Sequence, residues 1–399
     1  MWPVVLCWVA VALDGFDLVV LGAVIPELAK TKALGFDPET LTLVATIGLI
    51  GVGIGAVTIG PLTDRFGRRK SLITSIAFFS VCTLLIAVAP NIAVFATLRF
   101  LAGLGLGACL PTALAFMTEY AREGRGGSAV TRMMTGYHVG AVLTALLALV
   151  LIADFGWRSM FVVGGVLGLL TLPVMWLKLP ESQAFLATRR DGTKPVPTSA
   201  VVKGQFLKIS LALWVASFMG LLLVYGLNTW LPQIMEIAGY STGDALGLLL
   251  ALNLGAVTGL LIAGMISDAR GNKPTVLIWF GLAALFLAGL SIKLESTPAV
   301  YVAVFLTGVF VFSAQVLVYA FVGHLYPPDV RGTALGMSAG VGRVGAIIGP
   351  FLGGALVSAG IAYPWGFYIF SVAAVLAVVA LSLVPAHASP APALLTEGR

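Results

Sequence analysis

The stretch Gly60-Pro-Leu-Thr-Asp64-Arg-Phe-Gly67-Arg68-Arg69-Lys70 ends an apolar segment with a cluster of charges. A second stretch, Gly264-Met-Ile-Ser-Asp268-Ala-Arg-Gly271-Asn272-Lys273, follows at an offset of 204 residues and has glycine, aspartate, glycine and a basic residue at the same positions. Tyr120…Arg125-Gly126 is likewise echoed by Tyr326…Arg331-Gly332 at an offset of 206 residues. These matches fall at equivalent points of the chain and therefore predict two related halves.

Apolar residues dominate the sequence around these stretches. Among the 399 residues, 59% are hydrophobic and 10% are charged, and the mean hydropathy is +1.04. Soluble domains have about 25% charged residues, so the composition predicts an all-α, multi-pass membrane protein surrounded by lipid. Twelve apolar segments have roughly the ~20 residues that a spanning helix needs. They lie near residues 4–29, 41–62, 71–89, 92–119, 129–152, 158–177, 208–235, 241–267, 274–292, 297–325, 332–358 and 363–384.

Basic residues are distributed unevenly between the two faces of the predicted bundle. Most of the 23 lysine and arginine residues fall on the side of the loop after the second segment, which is also the side of both termini. The opposite side has only Lys30, Lys32, Arg158 and Lys293. Because basic residues concentrate in cytoplasmic loops, both termini are predicted to be cytoplasmic. The basic patches then require no nucleic-acid partner.

One long polar stretch, from Lys178 to about Gln205, separates six predicted spans from six others. We therefore divide the chain into an N-terminal lobe (1–178), a cytoplasmic linker (179–206), a C-terminal lobe (207–385) and a short C-terminal tail (386–399). Two six-span halves in parallel repeat are typical of secondary transporters, in which the substrate site lies between the halves near the middle of the membrane.

Two carboxylates, Asp14 and Asp17, lie in the middle of the first apolar segment. A charge at that depth costs roughly 3 kcal/mol or more, and such residues face a cavity, pair with a cation or exchange a proton. Their spacing of three residues places both on one helix face. We interpret them as a proton-coupling pair. The alternative is a packing role in which one carboxylate is bonded to the backbone or to an arginine.

The segment Gly60–Lys70 resembles the G-x-x-x-D-R-x-G-R-R-K signature of the major facilitator superfamily. Within that superfamily, Asp14-Gly-Phe-Asp17 resembles the D-G-x-D first helix of the aromatic acid:proton symporters, which import benzoate, 4-hydroxybenzoate and protocatechuate. Further stretches agree with that group, namely Glu119-Tyr-Ala, Leu179-Pro-Glu181-Ser182 and Gly340-Val-Gly-Arg343-Val-Gly-Ala. The resemblance covers the whole chain and implies twelve transmembrane helices in two six-helix lobes.

Two arginines lie inside predicted spans. Arg343 is twelve residues beyond Arg331, roughly 18 Å along a helix, which places it near the middle of the membrane. Its planar guanidinium suits a carboxylate held by two hydrogen bonds, so we predict that Arg343 binds the substrate. A permanent ion pair with an aspartate of the first span is the alternative. Arg99 resembles the membrane arginine of the superfamily's fourth helix, and this resemblance implies a role in proton coupling.

Charged residues at the predicted cytoplasmic helix ends are interpreted as a gate between the lobes. The repeated stretches contribute Asp64, Arg65, Arg68 and Asp268. Glu119 ends the fourth segment and is expected to contact the basic loop that follows the second. Solvated ion pairs at the membrane surface are the alternative.

Polar and aromatic residues interrupt the spans of the C-terminal lobe and are candidates for substrate binding. They are Tyr225, Asn228, Asn253, Gln315 and Tyr319. Gln315 and Tyr319 share a helix face because they are four residues apart. Tyr137-His138 in the fifth segment is a further candidate for lining the substrate path, although we favour helix packing, with one hydrogen bond to the histidine.

Together these features predict a monomeric, proton-coupled importer of small aromatic carboxylates. The proton gradient supplies the energy, and the sequence contains no nucleotide-binding motif, metal cluster or nucleophile elbow, so neither an enzyme nor a cofactor or metal is expected. The three cysteines lie in separate apolar segments, and no disulfide is predicted. The alternatives are an importer of sugars or aliphatic acids, a drug efflux antiporter, and a transporter-like sensor.

Overall fold

The computed structural model describes residues 2–122, 124–190, 198–240, 242–293 and 296–386. It is all-helical within these ranges. The helices are α1 (Trp2–Thr31), α2 (Pro38–Phe66), α3 (Arg68–Ile86), α4 (Ile92–Tyr120), α5 (Gly126–Phe155), α6 (Arg158–Lys178), α7 (Gln183–Arg190), α8 (Gly204–Ile237), α9 (Thr242–Arg270), α10 (Asn272–Leu290), α11 (Thr297–Leu325), α12 (Pro328–Ser358) and α13 (Trp365–Ser382). All except α7 coincide to within a few residues with the apolar segments predicted from the sequence.

Eleven of the long helices within the described ranges are long and apolar enough to cross a membrane. The remaining long helix, α5, is not among the eleven, although it has 30 residues. Many large apolar side chains lie on the outer surface of the bundle, including Phe155, Leu177 and Phe351, each more than 70% exposed. An exposed apolar surface of this extent is suited to lipid rather than to water, and the chain is a multi-pass membrane protein.

The long helices form two groups of neighbours. In the N-terminal lobe (α1–α6), α2 packs on α4, α1 on α5, and α3 on both α4 and α6. In the C-terminal lobe (α8–α13), α12 packs on α8, α9 on α11, and α10 on both α11 and α13. The main contacts between the lobes are α2 with α12 and α5 with α9. Each lobe therefore contributes two helices to the main contacts of the interface.

Small residues allow the two lobes to approach closely at this interface. A β-carbon placed on Gly60 of α2 would come within 2.5 Å of the Thr333 backbone on α12. Small residues at such positions let membrane helices pack backbone against backbone. Gly60 is the first residue of the repeated stretch, so one function of this sequence is close contact between the lobes.

Two helical segments lie within the predicted linker. Residues 183–190 form α7, and Thr198–Val202 form a short 3-10 helix; residues 191–197 lie outside the described ranges. Phe185 of α7 is buried, and the Arg68 guanidinium lies over its ring, with the guanidinium carbon 5.3 Å from the ring centre. Glu181, just before α7, accepts hydrogen bonds from the backbone N–H groups of Arg68 and Arg69 at 2.8 and 3.1 Å. The start of the linker thus caps α3.

Candidate functional site

A cavity of about 290 Å³ lies between the two lobes. Its volume is at the lower end of the range of small-molecule sites, about 300–1,000 Å³. The N-terminal lobe contributes residues of α1, α4 and α5 to its wall, and the C-terminal lobe contributes residues of α8, α9, α11 and α12. All six residues that the sequence suggested for substrate binding line this cavity, namely Arg343, Tyr225, Asn228, Asn253, Gln315 and Tyr319.

Arg343 supplies the positive charge of the cavity wall. Its side chain comes from the middle of α12 and is 7% exposed. The guanidinium Nη1 donates a 2.8 Å hydrogen bond to the Tyr225 hydroxyl of α8, which fixes its orientation. A guanidinium has five N–H donors, so Arg343 keeps donors for an anionic group in the cavity. The permanent ion pair with Asp14 or Asp17, considered as an alternative for Arg343, is not formed.

Asp14 lies behind this wall in an unusual environment. Its residue is fully buried in α1, and neither carboxylate oxygen has a hydrogen-bond partner among the described residues. Arg343 of α12 and Asp17 of α1 are charged groups within electrostatic range of it. A carboxylate buried without partners is costly in the charged form. Asp14 is therefore suited to exchanging a proton as its distance from a cation changes.

Asp17 is in a different setting, inside the N-terminal lobe. Its Oδ1 accepts a 3.1 Å salt bridge from Arg99 Nη1, and its Oδ2 accepts a 2.8 Å hydrogen bond from the Thr83 hydroxyl. Arg99 Nη2 also donates to the Asp17 backbone carbonyl at 2.8 Å. Both charged side chains are buried, 2% and 4% exposed. Asp14 and Asp17 thus differ in their surroundings: Asp17 is bound by Thr83 of α3 and Arg99 of α4, whereas Asp14 has no hydrogen-bond partner among the described residues.

The Asp17–Arg99 ion pair leads to a first prediction. Asp17→Asn should leave the Arg99 charge buried without a counter-charge, at a cost of about 3–5 kcal/mol. We expect a clear drop in the thermal unfolding temperature of the purified protein and a loss of gradient-driven substrate accumulation. The double variant Asp17→Asn/Arg99→Gln removes both charges and should regain most of the thermal stability without regaining accumulation. Equal stability of wild type and Asp17→Asn would contradict this assignment.

Aromatic residues and amides complete the cavity wall. Tyr137, His138, Phe312 and Tyr319 provide ring surfaces. Asn253 donates a 3.2 Å hydrogen bond to the side-chain oxygen of Asn228, linking α9 to α8. Tyr137 and His138 were interpreted from the sequence as packing residues, but both line the cavity. Both residues belong to α5, which packs against α1 of its own lobe and against α9 of the other lobe. Side chains of such a helix can reach the space between the lobes.

A second polar cluster closes the bundle at its predicted cytoplasmic end. Asp64 at the end of α2 accepts hydrogen bonds from the backbone N–H groups of Gly332 and Thr333 at 3.1 and 2.8 Å and from the Thr333 hydroxyl at 2.7 Å. Its repeat counterpart, Asp268 at the end of α9, accepts hydrogen bonds from the Ser128 N–H of α5 at 3.2 and 3.3 Å. Each aspartate thus ties its own lobe to the first turns of a helix in the other.

Arg68 and Glu119 extend this cluster. Arg68 Nη2 forms salt bridges with Glu119 at 2.8 Å and with Asp64 at 3.2 Å, and it also donates to the Pro328 carbonyl of the other lobe. Arg331 of α12 approaches Glu119 to 3.6 Å. We call Asp64, Arg68, Glu119 and Asp268, with the groups they bind across the interface, the inter-lobe clasp.

Arg65 was expected in the same gate, but the structure places it elsewhere. Its side chain is exposed, and its guanidinium lies over the ring of the neighbouring Phe66 at 5.4 Å. The reason is helical geometry, because one residue advances the side chain by about 100° around the axis. Asp64 therefore faces α12, whereas Arg65 turns away from it.

The clasp leads to a second prediction. Asp64→Ala should remove the three hydrogen bonds to the start of α12 and weaken contact between the lobes. We expect amide hydrogen exchange at Gly332 and Thr333 to rise by about tenfold or more, because those N–H groups lose their acceptor. Arg65→Ala changes a neighbouring charge outside the clasp and serves as the matched control. Exchange in Asp64→Ala that equals the control would show that these contacts do not hold the lobes together.

Comparison with known proteins places this architecture in context. The sequence pattern of the Major Facilitator Superfamily matches residues 7–291 and 242–398. The gentisate transporter of Corynebacterium glutamicum is 38% identical, over 96% of this chain and 86% of that protein. The benzoate transport protein of Acinetobacter baylyi is 32% identical, over 96% of this chain and 88% of that protein. Among solved structures, the proton:xylose symporter XylE shares the fold with a TM-score of 0.79 at 18% identity, over 96% of this chain and 95% of that chain.

Proposed function

This chain belongs to the major facilitator superfamily and, within it, to the aromatic acid transporters, and from that premise we propose that it imports small aromatic carboxylates together with protons. One observation carries the proposal. A cavity of small-molecule size has an oriented guanidinium, Arg343, in its wall and aromatic rings around it, with the buried carboxyl group of Asp14 within electrostatic range of that cation. An aromatic acid needs both a bidentate cation and an apolar, ring-lined space.

The proposed cycle couples these groups by charge. While the cavity faces outward, Asp14 takes a proton and no longer attracts Arg343, whose guanidinium then binds the substrate carboxylate. With both charges neutralised, the lobes rock about the cavity, the clasp opens, and the substrate leaves inward. Asp14 then releases its proton to the cytoplasm. Asp17 and Arg99 are assigned a supporting role in coupling, since their ion pair holds α1 against α4 beside Asp14.

The same proposal includes the arrangement in the membrane. All twelve long helices cross the bilayer, α5 among them, with both termini in the cytoplasm, and the protein works as a monomer. Support comes from the concentration of basic residues at the clasp end of the bundle. In this orientation the described structure is closed on the cytoplasmic side, where the clasp joins the lobes.

Reconstituted vesicles test the proposed function directly. Purified protein in liposomes is given labelled benzoate or a hydroxybenzoate, with and without an imposed inward proton gradient. We expect accumulation with the gradient that exceeds accumulation in protein-free liposomes under the same gradient, because an aromatic acid also crosses the bilayer slowly in its neutral form. Without the gradient we expect no accumulation above the external concentration. Stimulation by a gradient of the opposite direction would identify an exchanger, and uptake of xylose or an aliphatic acid in place of the aromatic acids would identify a different carrier. Either result would overturn the proposal.

A further inference from the structure

We propose that Gln315 is a specificity-determining residue that hydrogen-bonds a ring hydroxyl of the substrate, so that the transporter prefers hydroxylated aromatic acids over benzoate. This inference rests on the function proposed above and refines it. Gln315 belongs to α11, lines the cavity and is only 2% exposed. Neither its amide nitrogen nor its amide oxygen has a hydrogen-bond partner among the described residues.

The buried amide of Gln315 without a hydrogen-bond partner destabilises the protein, so its place beside the cavity indicates a role other than packing. Leaving a buried polar group without a partner destabilises the folded protein, and most buried polar groups in native proteins are paired. An apolar side chain of similar volume would avoid this cost at a position that served packing alone. The amide lies beside a cavity whose wall also contains the Arg343 guanidinium and the aromatic rings that an aromatic carboxylate needs. A ligand group is therefore the fitting partner.

The neighbouring helix leaves space for this amide. A β-carbon on Gly220 of α8 would lie 2.0 Å from the Gln315 side-chain oxygen, so any larger residue there would displace the amide. The Tyr319 hydroxyl, one turn further along α11, is close enough to interact with the Gln315 side chain. Neither amide atom of Gln315, however, reaches hydrogen-bond distance and angle with a partner among the described residues. Tyr319 in turn lies within electrostatic range of Arg343. The Arg343 guanidinium and the Gln315 amide therefore lie in the same wall of the cavity.

A hydroxyl group matches this arrangement better than an unsubstituted ring. The amide offers two donors and an acceptor, whereas a hydroxyl both donates and accepts, so a single ring hydroxyl can satisfy either end of Gln315. Benzoate with its carboxylate bound to Arg343 has no second polar group and leaves the amide unpaired. Sites built to hydrogen-bond a substrate hydroxyl discriminate strongly against the analogue that lacks it. The chemical class that fits is a benzoate with at least one hydroxyl on the ring.

The test compares affinities of benzoate, the three monohydroxybenzoates and 2,5-dihydroxybenzoate for the purified full-length protein. We expect at least one hydroxylated acid to bind wild type about tenfold or more tightly than benzoate. Gln315→Met keeps the length and volume of the side chain but removes the amide. It should weaken binding of the preferred hydroxylated acid about tenfold or more and change benzoate binding by less than about threefold. Gln233→Leu, an exposed glutamine of α8, is the control and should leave the preference unchanged.

Two outcomes would overturn the inference without touching the proposed function. One is wild-type protein that binds benzoate as tightly as every hydroxylated acid. The other is Gln315→Met protein that loses affinity for benzoate and hydroxybenzoates equally, because the amide would then serve packing. The wild-type comparison needs no variant and holds even if Gln315→Met fails to fold. Failure of every aromatic acid to bind would instead reject the proposed function itself.

Discussion

Arg343→Gln is expected to raise the dissociation constant for an aromatic carboxylate by about a hundredfold or more and to abolish uptake. Glutamine removes the positive charge and the planar fork that bind a carboxylate through two charge-assisted hydrogen bonds. Truncating one partner of a buried charge pair costs about 2–5 kcal/mol. Isothermal titration of the purified variant with a hydroxybenzoate measures the effect.

Two companion variants separate charge from geometry. Arg343→Lys keeps the charge but not the fork, and it should bind more weakly than wild type and more tightly than Arg343→Gln. Arg158→Gln changes an arginine at the start of α6 that lies over the Trp157 ring, remote from the cavity, and should bind as wild type does. If Arg343→Gln bound the substrate with wild-type affinity, the carboxylate anchor would lie elsewhere.

Asp14→Asn is expected to reduce gradient-driven accumulation at least about a hundredfold while leaving exchange of labelled for unlabelled substrate across the vesicle membrane intact. Asparagine has nearly the same shape as a protonated aspartic acid, so it mimics the neutral state and allows the lobes to move with substrate bound. It cannot release a proton, and the inward and outward steps are then no longer linked to the proton gradient. Counterflow and uptake assays on the same vesicles measure the two activities.

Asp154→Asn provides the matched control, because Asp154 is an exposed aspartate near the end of α5. It should retain both accumulation and exchange. Full accumulation by Asp14→Asn would contradict a proton-coupling role for Asp14. Loss of exchange together with accumulation would indicate that the residue is needed for movement of the lobes rather than for coupling.

The sequence predicted the helices well because length and hydropathy determine which segments span a bilayer. The repeat of Asp64 by Asp268 also indicated equivalent positions in the two halves, and both side chains bind the opposite lobe. The helix α7 within the linker was not anticipated. α7 is short and polar, and Phe185 is buried there by contact with Arg68 from a distant part of the chain, which no local pattern reports.

The candidate site was harder to predict in detail. Arg343 could be predicted as a site residue because a charge in the middle of a membrane helix is costly and is usually kept for a function. The same argument applied to Asp14 and Asp17. Their separate environments did not follow from spacing, since residues three apart point about 60° away from each other around a helix. That angle directs Asp17 to Arg99 and leaves Asp14 near the other lobe. Tyr137 and His138 were assigned to packing in preference to the substrate path, because rings in a helix pack in the same sequence patterns whether or not they border a cavity.

Proton movement measured with a pH-sensitive dye trapped inside the vesicles tests the coupling most directly. Adding a hydroxybenzoate outside should acidify the interior of vesicles that contain wild-type protein, at a rate above that of protein-free vesicles. Vesicles with Asp14→Asn should show only the protein-free rate. Carrier-mediated substrate entry without acidification, or an interior that becomes more alkaline, would contradict symport through Asp14.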